Sequence, residues 1–232
     1  MCIRDSYVGV SLFRKSINGF TATIQEQATF GSLNIPFSSL IQTQQNALTD
    51  RARAAGLAVD ATPVSVNRPV NLQTLVIKGI EGTWNQPLDF VVKGLGFQAN
   101  GTHITQDSDP VLIGGTQQTL FAPGVPRWGY NVQGYYENYG LSLSLNYVWQ
   151  GDVIAANAPQ NNLNVPLRAD ARGQLDLSAG YQLPFLDKAM RLTLDVLNIT
   201  NKPLRTTIGY DNAAYSVYYP GRQVLVGLRA SF

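Results

Sequence analysis

From Leu141 to Gln150 the chain alternates with a period of two. Leu141, Leu143, Leu145, Tyr147 and Trp149 fall on one face, Ser142, Ser144, Asn146 and Gln150 on the other. Only an extended strand whose two faces meet different solvents needs that pattern. It recurs in Arg172–Gln182, where Leu175, Leu177, Ala179 and Tyr181 oppose Gln174, Asp176 and Ser178. In Met190–Asn198, Leu192, Leu194 and Val196 oppose Arg191, Thr193 and Asp195. The last segment, Gln223–Phe232, sets Val224, Val226, Leu228, Ala230 and Phe232 against Gln223, Gly227, Arg229 and Ser231, with Leu225 the one apolar residue on the polar side. Further strands are expected at Tyr7–Ile17, Phe20–Phe30, Leu72–Trp84, Phe90–Thr105 and Arg127–Glu137. These segments run about 10 residues, the length of a tilted membrane-crossing strand, against about 5–6 in globular sheets.

The connections between them alternate in length. Asn18-Gly19 reads as a two-residue hairpin. Asn85–Asp89, Asn138–Gly140 and Leu183–Ala189 read as short turns. Gly31–Asn71, Thr105–Val125, Gly151–Ala171 and Ile199–Pro220 are long, and Gln42–Ala58 carries a weak helical stripe of Leu48, Ala52, Ala55 and Leu57. In bacterial outer-membrane barrels short turns face the periplasm and long loops face outside. The expected fold is therefore all-β: an antiparallel transmembrane β-barrel fragment of about nine long strands, with short periplasmic turns and long extracellular loops.

Composition supports this class. Charged residues make up 14% of the 232 residues, and Tyr alone numbers 11. A soluble domain averages about a quarter charged. A net charge of +2 offers no basic patch for nucleic acid. The sequence has no run of 18 apolar residues, which bears only on helical crossing. Met1–Ser6 lacks an apolar signal stretch and differs in character from the strand beginning at Tyr7. Residues 1–6 are read as an artefactual or irregular tail carrying the lone Cys2, and 7–232 as barrel.

Several stretches together resemble the C-terminal barrel of TonB-dependent outer-membrane receptors. Leu194-Asp195-Val196-Leu197-Asn198-Ile199-Thr200-Asn201-Lys202 resembles the family's "xxNLTNK" element, and Tyr218-Tyr219-Pro220-Gly221-Arg222 its "Y-x-PGR" element. Gly79-Ile80-Glu81-Gly82 with Pro87-Leu88, and Gly94-Leu95-Gly96-Phe97-Gln98-Ala99-Asn100, resemble the pair carrying "G-x-E" and "GxGxxxN". Arg172–Tyr181 resembles "QLDxSxxY". The wording around Leu167–Tyr181 is most similar to a subgroup of oligotrophic and plant-associated proteobacteria linked to carbohydrate uptake.

The resemblance implies a barrel of roughly 22 strands around a plug, of which this chain would supply the C-terminal part. It implies active, TonB-powered uptake of a scarce ligand, of carbohydrate or siderophore class, across the bacterial outer membrane. It also implies partners: outer-membrane lipid, the TonB complex through a segment outside this chain, and the barrel-assembly machinery. That machinery would read the strand of Val224, Val226, Leu228, Ala230 and Phe232. The competing classes are a passive porin-like channel and a secreted β-rich binding domain.

No enzyme chemistry is expected. There is no G-x-S-x-G elbow, and His103 is the single histidine. One histidine without spaced partners reads as a polar residue near a strand end rather than a metal ligand. Asp107 and Asp109 read as a solvated turn rather than a Ca²⁺ site. No cofactor is expected. Trp128, Tyr130, Tyr147 and Trp149 read by parity as lipid-interface anchors. Tyr210, Tyr215, Tyr218 and Tyr219 near the last long loop are equally open to ligand contact and to rim packing. Arg222 reads chiefly as part of the Pro220-Gly221-Arg222 step and secondarily as a ligand contact. Finally, Asp176, Arg191, Asp195 and Arg229 share inward parity, and an ion pair between one of the acids and one of the arginines is expected.

Overall fold

The computed structural model describes residues 6–19, 21–71, 74–113, 116–118, 121–156, 166–184 and 190–230. In chain order the strands are β1 (Tyr7–Asn18), β2 (Thr21–Thr29), β3 (Pro63–Asn71), β4 (Thr74–Pro87), β5 (Leu95–Ser108), β6 (Val111–Ile113), β7 (Thr116–Gln118) and β8 (Trp128–Asn138). They continue as β9 (Leu141–Gln150), β10 (Val153–Ala156), β11 (Leu167–Ala169), β12 (Arg172–Gln182), β13 (Met190–Leu197), β14 (Leu204–Ile208), β15 (Tyr210–Tyr218) and β16 (Gln223–Ala230). One α-helix, α1 (Gln42–Ala55), lies between β2 and β3.

Eight of these strands form one sheet in the order β1-β4-β5-β8-β9-β12-β13-β16, every neighbour antiparallel. The all-β, barrel-type antiparallel architecture expected from the sequence is the one observed. β9 and β12 have the bounds that alternation predicts. Ser231 and Phe232 lie outside the described residues, as do Phe20, Leu72 and residues 185–189 of the Leu183–Ala189 turn.

Register makes the alternation physical. Reading across the sheet, Leu12 pairs with Ile80, Ile80 with His103 and His103 with Trp128. Two residues along, Tyr130 pairs with Trp149. Further on, Leu145 pairs with Leu177, Leu177 with Val196 and Val196 with Val224. Directly opposed residues share a face, so the apolar parities of eight strands merge into one apolar surface. Val8, Val10, Leu12, Val224, Val226 and Leu228 are all exposed on it. The reverse face carries Gln98 against Gln133, Gln133 against Asn146, Asn146 against Asp176, Ser178 against Asp195 and Arg191 against Arg229. A one-residue slip of any strand would exchange its two sets.

The short turns close as their chemistry requires. In Asn138–Gly140 both Tyr139 (φ 51°) and Gly140 (φ 75°) are left-handed, the type I′ geometry whose twist matches the flanking strands. The turn after β4 is longer than expected and runs to Gly94, so Phe90–Lys93 are not strand. Asp89 accepts the Gly94 N–H at 2.6 Å, and Gly94 accepts the Glu137 N–H at 2.8 Å, tying this turn to the next one.

The Asn18-Gly19 hairpin does not form, although Gly19 is left-handed at φ 68°. β1 pairs with β4 from Tyr7↔Asn85 to Asn18↔Thr74, and β2 pairs with β3 from Thr21↔Asn71 to Thr29↔Pro63 in the same register. The two ladders keep one pairing register, and β1–β2 with β3–β4 are taken together as one arm. The local turn preference loses to a twelve-pair ladder with β4 that sets Val8 against Trp84 and Leu12 against Ile80, and in which Leu75 is fully buried. The arm's tip has its own small core of Phe30, Leu48, Ala52 and Thr62. There Phe30 meets Phe37 edge-on at 6.3 Å. The helix expected at Gln42–Ala58 is α1, ended by Gly56 in the left-handed conformation, with Leu48 and Ala52 as its buried stripe.

Candidate ligand-facing wall

Above the long-loop end of the main sheet stands a second tier. β10, β11, β14 and β15 form a sheet in that order, with β10–β11 continuing the ladder of β9–β12 beyond Gly151–Asp152 and Asp170–Ala171. The sequence pattern predicts loop for these segments. β10, β11 and β14 are too short for alternation to show, and the pairing of β14 with the longer β15 shifts register twice, which breaks the period there.

The tier rests on a clasp built from the "NLTNK" and "PGR" elements. Asn198 and Asn201 are left-handed (φ 53° and 52°). Buried Asn198 donates from Nδ2 to the Gly221 carbonyl at 2.8 Å and accepts the Lys202 N–H at 3.0 Å. Its own N–H goes to Asp176 Oδ1 at 2.7 Å, and Arg222 Nε donates to the Ile199 carbonyl at 2.8 Å. Asp176 and Arg222 thus hold backbone.

On the polar parity the tier carries charge. Arg168 pairs with Asp152 at 3.0 Å and Arg205 with Asp170 at 2.7 Å. Thr207 Oγ1 donates to Asp170, and Arg205 also donates to the Asp211 carbonyl at 2.6 Å. These pairs line three concavities. One of about 530 Å³ lies between Gln106, Phe121, Arg127 and the Asp152–Arg168 pair. One of about 340 Å³ is bounded by Arg168, Asp170, Thr207 and Asp211. One of about 480 Å³ is bounded by Gln150, Arg172, Gln174 and Arg205. Below them the polar wall of the main sheet encloses a larger concavity of about 770 Å³, with Gln98, Gln133, Ser144, Asp195 and Arg229 on its surface. Half-exposed ion pairs contribute about 0–1 kcal/mol each to stability. Their effect here is to fix guanidinium and carboxylate orientations on a polar surface.

The sequence candidates fall unevenly on this geometry. Tyr210, Tyr215, Tyr218 and Tyr219 are exposed on or just after β15, the edge of the upper tier, and none borders these four concavities. Val224, Val226, Leu228 and Ala230 stand on the apolar face; Phe232 lies outside the described residues. His103 lies against Trp128, ring centroids 4.0 Å apart and tilted by 39°, on the apolar face. Trp149 stacks on Tyr130 at 5.2 Å, with Tyr147 beside it at 6.1 Å. Asp107 is in β5 opposite Val76. The inward parity of Asp176, Arg191, Asp195 and Arg229 holds, but the expected pairing does not. Among the described residues no ion pair joins either acid to either arginine. Asp195 accepts from Ser178, Arg191 donates to Ser142, and Asp176 is engaged by Asn198 and Gln174. Arg191 lies directly opposite Arg229, so neighbouring hydroxyls and amides satisfy the charges instead. Sequence reasoning misses the cluster of Arg168, Arg205 and Asp170, because no spacing within the sequence joins β11 and its following residue to β14, some 35 residues on.

An antiparallel wall with one apolar and one polar face, crowned on its long-loop side, defines a membrane-barrel class. The family model for the "TonB dependent receptor-like, beta-barrel" matches residues 4–199. The chain belongs to that family. It is similar in fold to a variant of the ferric enterobactin receptor from Pseudomonas aeruginosa in complex with enterobactin, at 19% identity and a TM-score of 0.58, over 97% of this chain and 29% of that one. It is also similar to the siderophore receptor PirA from Acinetobacter baumannii, at 15% identity and a TM-score of 0.57, over 98% of this chain and 30% of that one. The chain thus spans under a third of the length of these structures. No curated protein matches it in sequence.

Proposed function

We propose that this chain is part of the wall of a bacterial outer-membrane receptor that takes up a scarce ligand by TonB-dependent active transport. The supporting observation is the unbroken apolar face across eight strands backed by a polar one, which suits lipid outside and an aqueous or protein-filled interior. The long-loop end then faces the cell exterior and the turns at Leu88–Gly94 and Tyr139–Gly140 face the periplasm. The upper tier meets the ligand first. Its paired Arg168, Arg205, Asp152 and Asp170 suit a polar, hydrogen-bonding cargo. Siderophores are one such class, since two fold neighbours are siderophore receptors; carbohydrates are the other. On this reading residues 7–232 form the C-terminal part of the barrel, and energy enters through a TonB-contacting segment outside this chain. The C-terminal strand is what the barrel-assembly machinery recognises.

The test uses cells carrying the complete receptor gene. Uptake of labelled ferric siderophores and of oligosaccharides is measured with TonB present and deleted. TonB-dependent uptake of one class is expected. Uptake that survives loss of TonB would replace this reading with a passive channel.

A further inference from the structure

The apolar face of the main sheet ends abruptly at its long-loop end. Along β1 and β4 its pairs run Val8 with Trp84, Val10 with Gly82 and Leu12 with Ile80. The next pair on that face is Arg14 with Lys78. Two cations directly opposite each other on neighbouring strands repel. Both are exposed, and neither side chain has a hydrogen-bond or ion-pair partner among the described residues. Farther out on the same face Arg68 is not left so. Its guanidinium meets Glu26 through two hydrogen bonds of 2.9 and 3.0 Å.

Across all eight strands this face carries three formally charged residues: Arg14, Lys78 and Asp107. All three lie at the long-loop end. Asp107 stands one row beyond Lys78, opposite Val76, and makes no ion pair with it. One row the other way run Leu12, Ile80, His103 and Trp128, with the Tyr130–Trp149 stack beyond. Aromatic rings of this kind sit at the headgroup level of a bilayer. Cations immediately outside such a belt stand at the depth of lipid phosphates. There a planar Arg fork and a Lys point charge can share one anion.

We infer that Arg14 and Lys78 form a binding site for the phosphate of an anionic lipid headgroup, on the outer surface of the barrel wall at the outer leaflet. The site rests on the membrane reading above. The phosphate relieves the like-charge repulsion between the two strands. It also explains why the two cations face outward rather than into the polar interior.

The test purifies the complete receptor that contains this chain in detergent micelles and titrates it with bis-phosphorylated lipid A, counting retained lipid by native mass spectrometry. Heat-modifiable gel migration reports folding independently. Wild type should retain lipid A. The R14Q/K78Q double variant should bind it about tenfold more weakly or worse, by the attraction expected of two basic side chains. The charge-keeping R14K/K78R variant and the inner-face Arg229→Gln variant should both retain it. Inorganic phosphate should compete poorly, because it lacks the acyl chains that the apolar face holds. Folded R14Q/K78Q with unchanged retention overturns the site. So does full displacement of lipid A by inorganic phosphate, or loss of lipid in R14K/K78R. If the complete wild-type receptor shows no heat-modifiable fold in micelles, the membrane reading itself fails, and the site with it.

Discussion

Replacing Asn198 by Ala tests the clasp beneath the upper tier. The side chain donates at 2.8 Å to Gly221 and accepts at 3.0 Å from Lys202, and a third, longer contact of 3.4 Å reaches the Lys202 carbonyl. A neutral hydrogen bond contributes about 1 kcal/mol net, more when its loss strands a buried partner. The two good bonds therefore account for about 2–3 kcal/mol. The residue also sits at φ 53°, where a residue with a Cβ and no local hydrogen bond costs roughly 1 kcal/mol. Asn198→Ala should thus destabilise by about 3–4 kcal/mol. Asn198→Gly keeps the backbone unstrained and should cost about 1 kcal/mol less than Ala. Both are measured by urea unfolding in detergent micelles, followed by tryptophan fluorescence. Limited trypsin digestion gives a local readout, since Arg222 is exposed and its neighbour Gly221 is held by Asn198. Faster cutting after Arg222 is expected in both variants. An Ala variant unfolding at the wild-type midpoint, with wild-type cutting, would refute the clasp.

Gly94→Ala should destabilise by about 2 kcal/mol or more, because φ is +88° and a Cβ would lie 2.2 Å from the Glu137 carbonyl oxygen; Gly82→Ala, with open space around it, should be close to neutral in the same unfolding assay. Leu194→Arg on the apolar face should cost about 2–4 kcal/mol in vesicles, and Thr193→Arg on the polar face distinctly less; equal costs would dissolve the two-faced wall. In the arm, the hydrogen bond from Arg68 holds the Glu26 carboxyl below the usual carboxylate range. Its lowered value means the pair supports the arm at neutral pH and is lost as pH falls through that depressed value. Amide exchange across β2–β3 should quicken only there, and Glu26→Gln should remove the pH step. Lastly, β1 and β16 are the outer strands of the sheet with one neighbour each. The chain alone should aggregate without detergent, and a monodisperse detergent-free monomer in light scattering would count against the membrane reading.

The parts legible in the sequence are those where one residue's partner in solvent is decided locally. Leu141–Gln150 and Arg172–Gln182 announce both their bounds and their faces, because each alternate side chain answers to lipid or to water independently of its neighbours. Asn198 and Pro220-Gly221-Arg222 are visible as motifs, but their mutual hydrogen bonds are not, since 22 residues separate Asn198 from Pro220. Asn18-Gly19 misleads for the opposite reason. A strong local turn signal is outweighed by the pairing of β1 with a strand more than fifty residues away. The Asp170–Arg205 pair depends on two crossings of the sheet, and nothing near either residue marks it.

The arm formed by β1–β2 and β3–β4 behaves as a single ruler. Its two described stretches, Tyr7–Asn18 and Thr21–Thr29, reach roughly 40 and 30 Å at about 3.3 Å per residue, and both keep the same pairing register. An insertion of one residue on either side would turn every side chain beyond it to the wrong face. Length can therefore change only by equal additions to both strands, or within the Phe30–Thr62 cap. Among related genes, the cap should accumulate insertions and deletions freely, while the two shafts beneath it lengthen or shorten in step.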